Sequence, residues 1–586
     1  MRRLLPLAAA LASGAATALA LPLVVPFLSL RPVDPGGRLE AVAWVSLVPA
    51  FLALRSCDGA WRAALLGLVA GLAYFFSAIY WVSHAMTAFG GLSLPISLLA
   101  LTLLVLYMAA HWALAFGVSA RVRARLGWPL WAILPPAWTA AELLRNYLFS
   151  GFPWADLGYT QARTLPVAQL ASLLGVYGIA ALVVLVNAAL AELAAAAAER
   201  RAPPVRPLAT GAALLALALG YGELHLASIR AQLAAAPAIR VGVVQPNVDQ
   251  SVRNTRLQHE GYILERLVAP TLEADRAGAD LVAWPEASYP FDVPPDVRSF
   301  DVPGAGIPRL EHAHLLLGAP TVEWLPGPTP GARRVPRVGN KLFLLSPDLR
   351  VLGSYQKLHL VPFGEYVPGA VRVLLPFVKQ LVPTMAAVSP GRIYSMLQFP
   401  LPPPATGPPA PSGEPASGER PAAVRVAPLI CYDAIFPEIV RTFARAEPPP
   451  DLLVNGTNDA WYGYSSGPYQ FLAIVRLRAI EAARTVVRPA YAGVSAVILP
   501  TGEVAPGALE VGPVDPDLAP DRDEPERLLI SPAPLLRGRT LYTSIGDLFA
   551  YGCALAAAGA LLAAWMRKGP AAAGPRARKA RAQGRP

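Results

Sequence analysis

The chain has 586 residues and a formal net charge of +11, and 54% of it is hydrophobic against 15% charged. So apolar a composition excludes an ordinary soluble protein, and the length allows several domains at about 100–200 residues each. The apolar residues fill the first 226 positions and return at 545–566, while the middle third mixes charges, prolines and short apolar runs. That distribution reads as a membrane protein carrying one extramembrane domain.

A helix needs about 20 apolar residues to cross about 30 Å of hydrocarbon. Eight spans are expected, at 4–22, 39–54, 63–82, 92–118, 128–147, 165–195, 208–226 and 545–566. The first begins MRRLLPLAAALASGAATALA, which has the basic, apolar and small-residue regions of a signal peptide. Retention as a span is expected, and either fate leaves the same topology downstream. The fifth contains Glu142 and Arg145. Charges at membrane depth face protein or water and find partners, and the i, i+3 spacing predicts an ion pair between these two.

Arginines set the orientation. Arg2 and Arg3 precede the first span, Arg55 and Arg62 follow the second, Arg121, Arg123 and Arg125 follow the fourth, and Arg200, Arg201 and Arg206 follow the sixth. The tail adds Arg567, Lys568, Arg576, Arg578, Lys579, Arg581 and Arg585, while the alternate loops hold far fewer basic residues. The bias toward positive cytoplasmic loops predicts both termini inside, and so an outer, periplasmic domain. The expected division is a seven-span region at 1–226, a catalytic domain at 227–544, an eighth span at 545–566 and a basic cytoplasmic tail at 567–586. Because much of the positive charge is topogenic, no nucleic-acid partner is expected.

The outer domain alternates strand and helix signals. IRVGVVQPN (239–247), ADLVAWPEASYP (279–290), HLLLGAP (314–320), KLFLLSPDLRVLGSYQ (341–356), VRVAPLICYD (424–433) and DLLVNGTND (451–459) read as strands, with helical stretches after the first and last. Such alternation predicts an α/β layer structure, whose sites collect at the carboxyl ends of strands. Glu286, Cys431 and Asn458 fall at such ends. PLPPPATGPPAPSGEPASGERPAA (400–423) cannot bury a core and reads as a surface insertion. VLLPFVKQLVPTMAAV (373–388) reads as a membrane-dipping arm or as an amphipathic packing element.

The chain has three cysteines. On this topology Cys57 is in a cytoplasmic loop and Cys553 in the last span, so Cys431 has no disulfide partner in its domain. It is either a buried structural thiol or a nucleophile. Glu286 in WPEASYP and Lys357 in YQKLHLVPFGEYVP supply what a nucleophile needs: a carboxylate to take the proton, and an ammonium to favour thiolate and oxyanion.

WPEASYP, KLHLVPFGEYVP, ICYDAIFPE and NGTNDAWYG, in that order, resemble the carbon–nitrogen hydrolase (nitrilase) superfamily. The resemblance implies an αββα sandwich with Glu286 as general base, Lys357 as the charge-stabilising residue and Cys431 as nucleophile. It also implies Glu365 as a supporting carboxylate and the Tyr432 N–H as an oxyanion donor. The fusion to spans, with ELLRNYLFSGFPWADLGYTQ, RLRAIEAARTVVR and RTLYTSIGD, narrows the likeness to the apolipoprotein N-acyltransferase family. That resemblance implies a ping-pong reaction in the bacterial inner membrane. A phospholipid, phosphatidylethanolamine favoured, gives its sn-1 acyl chain to Cys431, and a diacylglyceryl apolipoprotein receives it on its α-amino group. Two positions depart from the pattern: Asp433 where the family often has Glu, and Asn254 near the place of a family tryptophan.

Other marked residues carry two readings each. Asn458 lines the site or caps a turn; Trp461 and Tyr462 contact lipid or fill core; Glu481 and Arg484 are expected to form an i, i+3 pair. His84 and His359 lack metal-ligand spacing and no Gly-rich phosphate loop stands out, so no metal or nucleotide cofactor is expected. A monomer is expected. The rival readings are a membrane-tethered nitrilase-type amidase and a catalytically inactive binding module.

Overall fold

Among the described residues, five helices are long and apolar enough to cross a membrane: Ala60–Ile79, Leu94–Leu126, Ala171–Ala198, Val205–Ala235 and Leu548–Met566. They belong to a computed structural model that describes residues 4–24, 37–326, 333–362, 364–366, 388–402, 420–463, 465–511 and 527–567. Most of the Pro-rich insertion, the 373–387 arm and the basic tail beyond 567 lie outside the described residues. The longest helix, Leu94–Leu126, ends where Gly127 turns left-handed at φ 77°, with Arg123 and Arg125 in its last turn. Val205–Ala235 has 31 residues, or about 46 Å of helix, and overshoots the hydrocarbon. Its far end carries Arg230, which pairs with Glu503 of the following domain at 2.6 Å.

Three expected spans take other forms. The first is the 14-residue helix Leu5–Ala18, about 21 Å long. Its Gly14 lies so close to the Ala60–Ile79 helix that a Cβ would meet the Ala70 carbonyl at 2.0 Å. The second is broken into a 3-10 turn, Arg38–Trp44, and an eight-residue helix, Val48–Arg55. At the break the Leu47 N–H donates to Asn187 Oδ1 at 2.9 Å, and upstream of it buried Glu40 accepts hydrogen bonds from Arg163 Nε at 2.8 Å and the Thr164 hydroxyl at 2.6 Å. The fifth is the helix Leu130–Tyr147, and the pairing expected inside it is different. Arg145 pairs with Asp156. Glu142 accepts from Trp138 Nε1 at 3.0 Å and from the Leu157 N–H at 2.9 Å. Both charges tie the helix to the 152–157 loop, which lies over the same face.

The following domain has β1 Ala238–Val244, β2 Leu281–Ala283, β3 His314–Leu325, β4 Val335–Leu345, β5 Val351–Gln356, β6 Leu397–Pro400, β7 Ala423–Ile430, β8 Leu452–Gly456, β9 Val486–Arg488, β10 Gly493–Ile498, β11 Leu509–Val511 and β12 Leu528–Pro534. They form two six-stranded sheets, ordered β12-β1-β2-β3-β4-β5 and β11-β10-β9-β8-β7-β6. β1, β2 and β3 run parallel, as do β7, β8 and β9. Alternation explains the layering, because successive side chains point to opposite sheet faces. Ile239, Val241, Leu281, Ala283 and Leu316 face the second sheet and share a core with Val426, Ile430 and Leu452. Val282, Leu315 and Leu317 face outward and pack on Ile263 and Leu267 of the helix Glu260–Arg276. The second sheet is covered by the helices Pro437–Ala444 and Gly467–Ala482. The result is an αββα sandwich.

The Gly467–Ala482 helix also joins the sandwich to the membrane region. Gln470 accepts from Trp154 Nε1 at 2.8 Å and donates to the Ala78 carbonyl at 3.0 Å. Trp81, Trp154 and Tyr462 pack ring on ring at the same place, so Tyr462 fills core. The expected Glu481–Arg484 pair does not form. The helix ends at Ala482, and Ala483 at φ 49° turns the chain back. Arg484 is thereby sent to the carbonyls of Pro450 at 2.7 Å and Gly538 at 2.6 Å, and Glu481 pairs with Arg478 at 3.0 Å.

Candidate active site

Each residue of the expected triad follows the end of a strand. β2 stops at Ala283, and Trp284 locks the next turn by donating its ring N–H to the Thr271 hydroxyl at 2.7 Å. Two residues later comes Glu286, and Ala287 beyond it has φ 44°. This turn lies directly over Gly318 of β3, where a Cβ would meet the Pro285 carbonyl at 2.1 Å. Glycine is therefore required to let the Glu286 turn down onto the sheet. Lys357 follows β5, its N–H donating to the Asn340 carbonyl and its carbonyl accepting from Gly391 N–H at 2.7 Å. Cys431 follows β7 and opens a 3-10 turn, Cys431–Ile435, with φ 45°. Left-handed backbone at a non-glycine residue costs about 1–2 kcal/mol and persists where the surroundings enforce it.

The enforcing group is Asp433. Its carboxylate accepts from the Ile430 N–H at 3.0 Å, the Tyr355 hydroxyl at 2.9 Å and the His359 N–H at 2.8 Å. One buried acid thus ties the cysteine turn to β5 and to the segment that carries Lys357. Desolvation pushes this carboxyl up to about 6, against the hydrogen bonds that lower it.

Lys357 is the hub. Its Nζ donates to Glu286 Oε1 at 3.0 Å and to Glu365 Oε1 at 2.9 Å. Asn340 Nδ2 donates to the same Glu286 oxygen at 2.7 Å, and Glu365 Oε2 accepts from the Val361 N–H at 2.8 Å. Burial works against the ammonium, but the two glutamates outweigh it and hold its pKa well above the lysine range. The Cys431 thiol is buried and pushed up to about 12, chiefly by desolvation and then by Glu286; Lys357 and a hydrogen bond with Thr457 oppose the rise. The resting sulfur is a neutral thiol. It is within electrostatic reach of a carboxylate that can accept its proton and of an ammonium that stabilises the thiolate left behind.

Tyr432 is buried against Phe152, Phe436 and His359, and its hydroxyl donates to the Gly151 carbonyl at 3.5 Å. His359 stacks on Phe436 with ring centroids 3.7 Å apart, and desolvation lowers its pKa to about 4. Asn458 caps a turn: its Oδ1 accepts from the Ala460 N–H at 3.2 Å, while its Nδ2 donates to Gln250 at 2.8 Å. Gln250 donates in turn to Asn254 at 2.8 Å. Asn340 was not legible as a site residue, because it stands in no marked motif; Tyr355 and Thr457 stand within marked motifs, but nothing in their spacing singles them out from their neighbours. Among the described residues no group of three or more His, Cys, Asp or Glu side chains is placed to hold a metal ion.

Residues 13–189 match the apolipoprotein N-acyltransferase N-terminal domain, and residues 240–512 match the carbon-nitrogen hydrolase family. A protein of Geobacter metallireducens named apolipoprotein N-acyltransferase is 34% identical over 541 residues, covering 91% of this chain and 93% of that protein. The chain belongs to the apolipoprotein N-acyltransferase family. A family member of Rhodopseudomonas palustris is 32% identical, with 75% of this chain and 77% of its own length covered. Among solved structures, an amidase of the nitrilase superfamily from Nesterenkonia AN1 matches 54% of this chain and 97% of its own, at 20% identity and a TM-score of 0.31. By the family models, the two-sheet domain is the carbon-nitrogen hydrolase part of an N-acyltransferase-family chain, and the helical part bears the family's N-terminal signature.

Proposed function

We propose that this membrane enzyme carries out the N-acylation for which its family is named, by ping-pong chemistry at Cys431. The observation that carries the reading is the Glu286–Lys357–Glu365 ion triplet set around an unpaired, buried cysteine at a strand end. Glu286 takes the thiol proton as sulfur attacks the sn-1 ester of a phospholipid, with phosphatidylethanolamine the favoured donor. The carbonyl oxygen gathers negative charge, and Lys357 with the Tyr432 N–H stabilises it. Collapse expels the sn-1 oxygen, which takes the proton from Glu286 and leaves as lysophospholipid. Cys431 keeps the acyl chain as a thioester. The α-amino group of a diacylglyceryl apolipoprotein then attacks the thioester, Glu286 accepts its proton, and the thiol is restored. Glu365 holds Lys357 from the other side, and Asp433 holds the cysteine turn.

A lipid ester and a lipid-anchored amine both reach the site from a bilayer, which accounts for a nitrilase-type domain packed on apolar helices. In this reading residues 1–226 form a seven-span region, 227–544 face the periplasm, 545–566 cross once more, and both ends are cytoplasmic. The helix Leu5–Ala18, the broken segment ending in Val48–Arg55 and the helix Leu130–Tyr147 would complete the count of eight. The enzyme works as a monomer in the inner membrane.

The test is incubation of the purified full chain with phospholipid alone, followed by intact-mass and peptide mass spectrometry. An acyl adduct on Cys431 that a diacylated lipopeptide discharges into N-acylated product supports the reading. Free fatty acid without N-acylated peptide would assign the chain to hydrolysis.

A further inference from the structure

Where the helix Val205–Ala235 meets the sandwich, the structure holds a cavity of about 200 Å³, many times the space one water needs. Tyr221, His225, Ile229 and Gln232 line it along the helix, at the three- and four-residue spacing of one face. Gly538, Arg539 and Thr540, from the segment after β12, form the opposite wall. The cavity lies at the Ala483 end of the Gly467–Ala482 helix, about 24 Å of helix from the end that packs on Tyr462. It is therefore a different place from the triad. About 20 residues of helix cross the hydrocarbon, so a span that begins beside Arg206 leaves it near Leu226. Tyr221 and His225 then stand at the hydrocarbon boundary, and Gln232 lies beyond it on the sandwich side. Toward the membrane interior the same stripe continues in Leu214 and Leu217, which are 45% and 67% exposed.

The polar groups of the cavity leave donors for a ligand. Ser172 spends its proton on the Gln169 carbonyl at 2.7 Å, so the Tyr221 hydroxyl donates to Ser172 at 2.6 Å. His225 stacks on Tyr221 with ring centres 5.3 Å apart, and among the described residues no group accepts its ring N–H. Gln232 gives one N–H to Ser228 at 3.2 Å and keeps the other. Positive charge collects at the opposite wall. Arg425, Arg537 and Arg539 act electrostatically on Arg484, and these four guanidiniums face the two carboxylates Asp451 and Glu447. Arg484 is fully buried, donates to backbone carbonyls that include Gly538 at 2.6 Å and Ala483 at 2.9 Å, and keeps its Nη2 without a partner. Desolvation, and then the three other arginines, lower its pKa to about 10 against the pull of Asp451. Arg539 lines the cavity, and its pair with Glu447 is solvent-exposed, so little holds it there. On the helix side, Glu223 and Glu503 act on Arg230.

We infer that this cavity seats the phosphate and ester region of a phospholipid, an anionic one favoured, whose acyl chains lie along Leu214 and Leu217. The phosphate faces Arg539 and Gln232, an ester carbonyl accepts from His225, and Arg484 adds charge from behind the wall. Binding here is independent of the chemistry proposed at Cys431. The test uses the delipidated full chain in detergent with two probes, each bearing a photoreactive acyl chain: a phosphatidylglycerol, and a diacylglycerol that lacks the phosphate. Cross-links are mapped by peptide mass spectrometry, and their yield on Val205–Ala235 is followed against probe concentration. Phosphatidylglycerol should label that helix with a midpoint at least about tenfold lower than diacylglycerol. Arg539→Gln should raise the phosphatidylglycerol midpoint about tenfold and leave that of diacylglycerol unchanged. His225→Phe keeps the stacked ring and should raise both about threefold. Arg230→Gln, on the same helix but outside the cavity, should change neither. Arg539 and His225 are not buried, and thermal unfolding checks that their variants fold. Inorganic phosphate at the probe's concentration should displace nothing. Equal midpoints for the two probes, undiminished labelling in Arg539→Gln or His225→Phe, or an equal loss in Arg230→Gln would overturn the inference. So would displacement by inorganic phosphate, or cross-links confined to other helices. Acylation of Cys431, measured separately, decides the proposed function.

Discussion

Lys357→Met is the perturbation whose consequences the geometry fixes most fully. The ammonium is 2% exposed and touches carboxylates at 3.0 and 2.9 Å. At an effective dielectric constant of about 20, each contact at that separation is an attraction of about 5 kcal/mol. Two of them exceed the several-kcal/mol cost of burying the cation. Removing it leaves Glu286 and Glu365 facing each other without compensation, so stability should fall by about 3–5 kcal/mol. Catalysis should fall further. The thiol, already at about 12, loses the cation that lowers it, and the oxyanion loses a donor worth about 10²–10³ in rate. Rapid-quench measurement of acyl-enzyme formation, alongside thermal unfolding, separates the two effects when Lys357→Met is compared with Lys357→Met/Glu365→Gln. The second change removes one of the opposed charges, so stability should recover while acylation stays low. Acylation by Lys357→Met within about tenfold of the parent rate would refute this reasoning. So would a double variant that regains rate together with stability.

Three further outcomes follow from the same contacts. Glu286→Gln removes the negative neighbour that raises the Cys431 thiol, so iodoacetamide should label Cys431 faster while acyl transfer drops by about 10²–10⁴. Slower labelling would contradict the electrostatic assignment. Asp433 has its pKa raised to about 6 from 3.8, so its favourable contribution to stability is present at low pH and is lost as pH rises through about 6. Asp433→Asn should therefore gain on the parent protein in melting temperature between pH 4 and 6, by at most about 3 kcal/mol, and then stay level. A gap that narrows with rising pH would reverse the sign. Gly318→Ala places a methyl against the Pro285 carbonyl and should displace Glu286, costing about 10² in acylation with Cys431 labelling retained. An unaffected rate would show that the Glu286 turn does not depend on that contact.

That Glu286, Lys357 and Cys431 each follow a strand was legible because strand ends are legible. WPE, YQK and ICYD each end an apolar run, and the two packed sheets bring these ends together. The partners of charged residues were not legible. Glu142 and Arg145 share a helix face, yet both bind the loop lying over it, and a pattern of spacing contains no information about that loop. Arg484 missed its expected partner because the helix ends at Ala482 and is followed by a left-handed alanine, Ala483, that no propensity marks. Hydropathy averaged over 39–54 conceals a break at which the Leu47 N–H turns to Asn187 of a distant helix. Asn340 touches the site through β4, a strand whose sequence carries no motif, and only tertiary pairing places it 2.7 Å from Glu286. The shorter acid Asp433 looked like a departure from the family pattern. Its three hydrogen bonds give it a role of its own in holding the cysteine turn.

The most direct measurement is the mass of the full chain after exposure to phospholipid, before and after a diacylated lipopeptide is added. The account predicts one acyl chain on Cys431, absent in Cys431→Ser, that disappears as N-acylated peptide forms. An unmodified Cys431 in a preparation that still yields N-acylated peptide would contradict it.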